Sequence, residues 1–314
     1  MLWAHVEQTM NLLSLLESFA TAVDEGSLSG AARKRGTSQP AVSKQLQSLE
    51  AHIGKDLFYR STTGIVPTPA GRLTYSHARI MLEQSRRMRE ELALMDGTLA
   101  GQLTVSAPVV IGRDIASRAS FKTQAEHPEL KIHLGLEDRL VDVVSENIDL
   151  ALRAGSLGDT EGTAKRIAYG KTILVAASQY LEKMGHPTKP EHLENLSYVE
   201  YGQDRADRSL PLVKDGETLQ ANITVGFTSN HPEVVMSAVQ EAVGFTRMPY
   251  YLAHEKLEDG ALVEVLPDYD SITKSLYAVT PTGGPFTRKQ EVFIRNLLAV
   301  MEEKQGFTIR KNWL

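Results

Sequence analysis

The apolar positions of residues 27–53 recur at the spacing of two short helices. In the first helix they form a small apolar face, Leu28, Ala31 and Ala32. Gly36 and Thr37 interrupt that pattern, and a second helix begins at Ser38 with Pro40 in its first turn, where proline is tolerated. Its apolar residues follow one another at steps of four, three and four along one face, Val42, Leu46, Leu49 and Ile53. Two small helices joined by a tight turn predict a helix-turn-helix over about residues 27–46.

The face opposite to these apolar residues carries groups that hydrogen-bond to bases and phosphates, Gln39, Ser43, Lys44 and Gln47. An ordinary helical hairpin with a solvated polar face is the alternative. Local charge argues against it, because residues 26–72 contain seven Lys or Arg and two Asp or Glu, whereas the whole chain has a net charge of −5. Phe58 and Tyr59 predict an extended wing that carries Arg60 beside the helices.

Two longer helical patterns flank this segment. A helix over residues 11–24 places Leu16 and Phe19 on a stripe that is expected to meet the apolar face of the second short helix in a small three-helix core. A helix over residues 69–97 carries a heptad-like seam, Thr74, Ala78, Met81, Ser85, Met88, Leu92 and Met95. The seam either pairs with a second copy of the chain or packs on its own domain.

From Gly101 onward, strand and helix patterns alternate. Strands at 102–106, 130–136 and 149–153 are separated by helices at 111–125 and 140–147, which argues for a parallel α/β sheet. A second such set extends from 172 to 266, and the chain then returns through a strand at 275–279 and a helix at 287–303. Two α/β lobes with a late return crossing predict a hinged, two-lobed domain.

A ligand of such a domain is expected at the carboxyl ends of the strands, in the crevice between the sheet halves. The loops at those ends supply the candidate ligand contacts, Ser106, Ala107, Pro108, Val109, Glu137, Asp138, Arg153, Gln203, Ser229, Asn230 and His231. The helix start that follows Ser106 offers backbone N–H groups to an anion. The alternative to ligand contact is, for each residue, a structural role in a helix cap or a turn. Arg153 either binds a ligand carboxylate or forms an ion pair with Glu137 or Asp138.

Composition excludes several classes of protein. The 314 residues contain no cysteine, so disulfides, thiolate metal sites and a cysteine nucleophile are excluded. The first residues lack the features of a signal peptide, and no apolar run approaches the roughly 18 residues of a membrane span. HExxH, GxSxG, Walker A and GxGxxG motifs are missing, and the nine histidines are scattered. We therefore expect a cytoplasmic protein without catalytic residues, bound metal, cofactor or membrane partner.

The order and spacing of short motifs along nearly the whole chain resemble those of LysR-type transcriptional regulators. The N-terminal motifs are Ala31-Ala32-Arg33, Ser38-Gln39-Pro40-Ala41-Val42-Ser43, Leu57-Phe58-Tyr59-Arg60 and Thr68-Pro69-Ala70-Gly71. The C-terminal motifs are Gly101-Gln102-Leu103-Thr104-Val105, Asp149-Leu150-Ala151-Leu152-Arg153, Met248-Pro249-Tyr250 and Leu266-Pro267.

The resemblance implies an α/β chain with three parts and a tail. These are an all-α winged helix-turn-helix domain at 10–68, a long linker helix at 69–97 and a two-lobed effector-binding domain at 98–304, similar to type 2 periplasmic binding proteins. Lobe I covers 98–170 and 275–304, lobe II covers 171–274, and residues 305–314 form the tail.

The function that the resemblance implies is that of a ligand-responsive transcription factor rather than an enzyme. Contacts to double-stranded DNA are expected from Arg33, Ser38, Gln39, Pro40, Ser43, Lys44, Gln47 and Arg60. The linker helix is expected to pair two subunits, with further contacts giving a homotetramer. A small molecule that closes the cleft is expected to change the DNA bend or the access of RNA polymerase.

Two other classes of function fit parts of the chain. One is a cytoplasmic small-molecule-binding protein without regulatory DNA binding, and the other is an enzyme that uses the cleft. The basic N-terminal helices argue against the first, and the missing catalytic motifs argue against the second.

Overall fold

The computed structural model describes residues 2–61, 64–94, 99–139, 143, 146, 148–155, 163–202, 208–271, 273–281 and 285–310. Within these ranges the side chains of 2–11, 60, 61, 64, 87, 89–91, 93, 94, 163 and 271 are not described. The chain divides into two compact units, one formed mainly by residues 1–100 and the other mainly by residues 101–314. Among the described residues, no helix has both the length and the apolar character that crossing a membrane requires.

The N-terminal unit contains four helices and a two-stranded wing. In chain order these are α1 (Leu2–Glu25), α2 (Leu28–Lys34), α3 (Gln39–Ile53), β1 (Phe58–Ser61), β2 (Gly64–Pro67) and α4 (Pro69–Leu94). The two strands pair antiparallel. The predicted helix-turn-helix corresponds to α2 and α3.

The apolar faces predicted from the sequence meet in one core. Phe19, Val42 and Leu49 are fully buried, and the remaining buried residues of the cluster are Leu15, Leu16, Ala22, Ala31, Ala32, Leu46, Leu57, Phe58 and Ala78. The rings of Phe19 and Phe58 lie 5.2 Å apart, which ties the wing to the first helix. The predicted three-helix core is therefore confirmed, and the wing contributes to it.

Helix α4 differs from the predicted seam in its rotational phase. Ala78 is fully buried in the N-terminal core, whereas Leu73 and Ile80, which the seam did not include, are exposed. The exposed apolar residues of this helix, which we call the α4 stripe, are Leu73, Ile80, Met81, Met88 and Leu92. Met95 lies outside the described residues. Ala78 cannot belong to an intersubunit seam, because α1 and the wing already cover that side of α4.

The second unit begins with the elements of lobe I. These are β3 (Gly101–Ala107), α5 (Val109–Ile111), a π-helical turn (Gly112–Ala116), α6 (Ser117–Glu126), β4 (Leu130–Leu136), β5 (Leu150–Ala154) and β6 (Thr163–Gly170). The helix predicted at 140–147 lies mostly outside the described residues.

Lobe II then follows in one continuous stretch. Its elements are β7 (Thr172–Ala177), α7 (Ser178–Met184), a 3₁₀ helix (Pro190–Asn195), β8 (Ser197–Tyr201), β9 (Ser209–Lys214), β10 (Glu217–Asn222), β11 (Thr224–Ser229), α8 (Pro232–Gln240), β12 (Phe245–Pro249), α9 (Tyr250–Glu258), β13 (Leu262–Glu264) and β14 (Asp270–Ser271). The chain returns to lobe I through β15 (Lys274–Thr280), α10 (Arg288–Glu302) and β16 (Phe307–Ile309).

Each lobe is built on one main sheet. Lobe I has six strands in the order β16-β6-β15-β5-β3-β4, and lobe II has five in the order β11-β8-β12-β7-β13. Helices α6 and α10 pack together on lobe I, where the amide of Asn296 donates to Thr123 at 3.1 Å. In lobe II, apolar clusters around Phe245 and around Val199 form two separate cores.

The parallel arrangement is confirmed for the three lobe I strands from which it was predicted, but both complete sheets are mixed. Strands β3, β4 and β5 are parallel, but β15 is antiparallel to β5 and β6. In lobe II, β8 is parallel to β11 and β12, but β7 is antiparallel to β12 and β13. The exceptions lie where the chain changes lobes: β6 leads directly into β7, and β15 brings the chain back, so these strands run against their neighbours.

The connection from lobe I to lobe II consists of a single residue, Lys171. Its backbone N–H donates to the carbonyl of Gly306 at 2.7 Å, and its own carbonyl accepts from the N–H of Tyr250 at 2.9 Å. Both backbone polar groups of this connection are thus held, one by the C-terminal segment and the other by the start of α9.

Candidate DNA-binding face and interlobe cleft

Local capping fixes both helices of the helix-turn-helix. The Ser27 hydroxyl accepts from the N–H of Gly30 at 3.0 Å, and the Ser38 hydroxyl accepts from the N–H of Ala41 at 3.4 Å. Gly36, with a φ of +63°, supplies the left-handed residue of the turn between the helices. Gly54 ends α3 in the same conformation.

Helix α3 presents its polar face to solvent. Gln39, Pro40, Lys44 and Gln47 are exposed and Ser43 is half-buried, while Val42, Leu46 and Leu49 on the opposite side are buried. Within the part of the chain that the structure describes, the Lys44 ammonium makes no hydrogen bond or ion pair. The residues that the sequence predicted as DNA contacts on α3 therefore lie together on one accessible face.

The cations near this face differ in their surroundings. Lys34 pairs with Glu25 at 2.9 Å and Arg35 pairs with Glu17 at 3.1 Å, so both are engaged within the unit. Arg33 is exposed at the end of α2. The side chain of Arg60 on the wing lies outside the described part of the structure.

The wing is fixed to α3 by a half-buried acceptor. The Glu50 carboxylate accepts from the N–H of Leu57 at 2.8 Å, where the chain leaves α3 for the wing. Thr68 closes the far end, because its hydroxyl donates to the carbonyl of Asp56 at 2.8 Å and accepts from the N–H of Gly71 at 2.9 Å. The same threonine thereby caps α4 and joins it to the start of the wing.

The second unit contains a cleft of about 620 Å³ between its two lobes. Apolar side chains form much of its lining, among them Val110, Ile111, Val235, Met236, Met248, Tyr251, Leu276 and Phe307. Five cations, Arg113, Arg139, Arg153, Arg247 and Lys274, line it together with three carboxylates, Glu137, Asp138 and Glu233. An apolar cavity with an excess of cations favours a ligand that is mainly apolar and carries a negative charge.

Polar contacts between described residues join the lobes across this cleft. The Arg113 guanidinium of lobe I pairs with Glu233 of lobe II at 2.5 Å. The Tyr201 hydroxyl of lobe II donates to the Asp138 carboxylate of lobe I. The Tyr251 hydroxyl donates to the carbonyl of Val110 at 2.8 Å. These contacts hold the two lobes together at the rim and inside the cleft.

The cleft shifts the pKa of three of these groups. A hydrogen bond to Asp114, followed by one to Glu233, raises the pKa of Arg113, although partial burial opposes that shift. Burial, then the hydrogen bond to Asp138, raises the pKa of Tyr201, and burial also raises the pKa of Tyr251. Arg113 is therefore cationic and both tyrosines are hydroxyl donors throughout the physiological pH range.

The structure brings only some of the predicted ligand contacts together at the cleft. Pro108, Glu137, Asp138 and Arg153 line it. Ser106 and Ala107 are buried in β3 and are not part of the lining, and neither are Val109, Ser229, Asn230 and His231. Gln203 lies outside the described residues.

The anion-binding site predicted at the helix start after Ser106 is already occupied by a carboxylate of the protein itself. The N–H of Val109 donates to the Asp138 carboxylate at 3.2 Å, and helix α5 has only three residues. Glu137 pairs with Arg139 at 2.6 Å. One Arg153 N–H donates to the carbonyl of Leu152 at 3.1 Å.

Sequence reasoning missed the lining residues that come from helices, from β12 and from the C-terminal segment. Arg113, Glu233, Arg247, Tyr251 and Phe307 reach the cleft from elements far apart in the chain. The motif Met248-Pro249-Tyr250 could have pointed to the neighbouring Arg247 and Tyr251. The sequence carries no comparable signal for Phe307.

Comparison with known proteins identifies the family of both units. Residues 13–72 match the family described as "Bacterial regulatory helix-turn-helix protein, lysR family", and residues 96–302 match "LysR substrate binding domain". The probable transcriptional regulator LtrA of Klebsiella pneumoniae is 31% identical over 84% of this chain and 85% of its own length. The transcriptional activator TtdR of Escherichia coli K12 is 30% identical over 93% of this chain and 94% of its own length.

A solved structure shares the fold of the chain. The full-length structure of the Vibrio cholerae virulence activator AphB is 27% identical, with a TM-score of 0.56, and the match covers 91% of this chain and 98% of that chain. The predicted fold class, family and regulatory function are confirmed, and the relatives named above are transcriptional regulators rather than enzymes. The chain belongs to the LysR family and is a ligand-responsive, DNA-binding transcriptional regulator.

Proposed function

We propose that α3 enters the major groove and that Ser38, Gln39, Pro40, Ser43, Lys44 and Gln47 face the base edges. The observation that carries this proposal is the accessible polar face of α3 opposite the buried side chains of Val42, Leu46 and Leu49. Amide, hydroxyl and ammonium groups are the side-chain donors and acceptors that read that groove. Arg33, Lys44 and Arg60 supply mainly phosphate contacts, which position the helix without selecting sequence.

The salt dependence of DNA binding tests the number of phosphate contacts. Three contacting cations per subunit give six for a dimer, so we expect log affinity to fall against log salt with a slope on the order of −5. The measurement is a gel shift on DNA upstream of the protein's own gene, repeated over a salt series. A slope near zero, or equal affinity for unrelated DNA, would contradict the proposed contacts.

We also propose that two subunits pair through the α4 stripe. One short recognition helix contacts few bases, and two-fold symmetry doubles the length of the site. The stripe exposes large apolar side chains along one side of α4, with Met88 at 56% and Leu92 at 55% exposure. Apolar side chains that recur along an exposed helix face are typical of a helix that packs against a partner.

Replacing Leu92 with glutamate tests this pairing. The substitution places one carboxylate from each subunit in an apolar seam, so we expect the dimer dissociation constant to rise at least about tenfold. Sedimentation velocity over a concentration series measures the change. Ser76→Glu is the matched control, because Ser76 is exposed on the same helix but lies outside the stripe. Equal weakening by both variants would contradict pairing through the stripe.

The interlobe cleft is the proposed effector site. It is large enough for a small molecule, and its walls come from both lobes, so a ligand there changes the contacts that hold the lobes together. The 314 residues contain no cysteine, so the signal is a bound molecule rather than a thiol oxidation. The proposed output is a changed angle between paired DNA-binding units, and through it a changed DNA bend or polymerase access.

A further inference from the structure

The C-terminal segment beyond α10 is built into the effector-binding unit. Strand β16 pairs antiparallel with β6, with Phe307 opposite Gly170 and Ile309 opposite Ala168. The match to the LysR substrate-binding family ends at residue 302, before this strand begins. The strand is therefore an addition to the edge of the lobe I sheet that the family match does not cover.

This strand ends at the connection between the lobes. Gly306 accepts from the N–H of Lys171, the single residue between β6 and β7. A Cβ atom at Gly306 would lie 2.9 Å from the Cβ of Tyr250, so the segment is in close contact with the start of α9 in lobe II. The same short segment thus contacts both sides of the hinge.

Phe307 follows Gly306 in this segment, and its side chain reaches the cleft. Its ring lies against Gly170 and stacks on Tyr251, with ring centres 5.1 Å apart and an angle of 30° between the planes. Phe307 lines the cleft beside Tyr251, and the Tyr251 hydroxyl holds the carbonyl of Val110 on the other lobe. A ligand that contacts Phe307 therefore contacts a group of aromatic rings that spans both lobes.

A cation on the same cleft lining complements that aromatic surface. Arg247 on β12 lines the cleft, and its guanidinium makes no ion pair or hydrogen bond among the residues that the structure describes. The aromatic surface suits a flat apolar ring, and the guanidinium suits a carboxylate or sulfonate.

We propose that Phe307 is a specificity-determining residue of the effector site and that it selects an anion with a flat, ring-shaped apolar body over one with a flexible chain. The inference rests on the proposed effector cleft and names the class of its ligand. The ring gains contact with Phe307 and, through Tyr251, with the group that joins the lobes.

Competition between two carboxylates tests this selection. The fluorescent probe 8-anilinonaphthalene-1-sulfonate is bound to the full-length chain, and 2-naphthoate and octanoate are compared as competitors. We expect the native chain to prefer 2-naphthoate by about three- to tenfold. Phe307→Ala should abolish that preference, and Phe307→Tyr, which retains an aromatic ring, should preserve it. Arg247→Gln should weaken the binding of both acids to a similar extent.

Thr308→Ala is the matched control, because Thr308 is exposed on the same strand. This variant should leave both affinities unchanged. A ring preference that survives in Phe307→Ala, or that is missing from the native chain, would overturn the inference. Gel shifts with the same preparations report on DNA binding independently, so intact DNA binding beside a failed competition result would leave the proposed regulator function standing.

Discussion

Replacing Ser43 and Lys44 together with alanine is expected to abolish sequence-selective DNA binding. The two side chains lie side by side on the accessible face of α3, opposite its buried apolar residues. Each lost contact to a base edge or phosphate costs about 1–3 kcal/mol. The two substitutions together therefore lower the affinity for DNA at least about thirtyfold in each half-site. A gel shift on the upstream DNA, with unrelated DNA as competitor, measures the loss.

The double variant Ser48→Ala and Lys55→Ala is the matched control. It removes the same two chemical groups from the same unit, at exposed positions that we do not assign to the groove. We expect its sequence selectivity to be retained. Probe binding in the effector cleft should be unchanged in both double variants. Loss of DNA binding and probe binding together, with the fold preserved, would count against separate DNA-binding and effector-binding domains.

Replacing Gly71 with alanine is expected to destabilise the N-terminal unit by about 2–4 kcal/mol. A Cβ atom at this position would lie 2.1 Å from the backbone carbonyl oxygen of Leu57 and 3.3 Å from the Cβ of Pro67. Elsewhere in a helix the same change usually stabilises by about 1 kcal/mol, because alanine has the higher helix propensity. The steric contact therefore makes this substitution destabilising rather than stabilising, because α4 and the wing must move apart.

Urea unfolding measures this loss of stability, and hydrogen exchange in peptides of the N-terminal unit monitors the unfolding of that unit. Ser76→Ala provides the comparison, since Ser76 is exposed on the same helix and its hydroxyl bonds only to the carbonyl of Leu73. A Gly71→Ala chain as stable as the Ser76→Ala chain would show that the close approach of Leu57 to α4 is not required.

Local patterns predicted the DNA-binding unit well, because its chemistry lies within short segments. The caps at Ser27 and Ser38 and the buried positions of α3 are each decided by neighbours within a few residues. Helix α4 was predicted as a helix, but the phase of its exposed side depended on contacts with α1 and the wing. Periodicity alone therefore placed Ala78 on the wrong side.

The effector cleft could be predicted only in part, because its walls are assembled by long-range strand pairing. The loops that contain Glu137 and Arg153 follow predicted strands, so the general rule for α/β sheets located them. Phe307 reaches the cleft because β16 pairs with β6, more than a hundred residues earlier in the chain. No spacing in the sequence predicts that pairing, and β6 itself was missed.

Under the proposed pairing through the α4 stripe, the burial of Ala78 makes the length of α4 a component of DNA-sequence choice. One end of the helix is packed into the N-terminal core through Ala78, and Met88 and Leu92 are exposed toward the other end. Each residue of helix advances the direction of a side chain by about 100° and its position by about 1.5 Å. The residues between Ala78 and Met88 thereby set the angle and the distance between two paired recognition helices. In such a pair, the spacing of the half-sites on the DNA is encoded in the length of a helix that need not touch the bases.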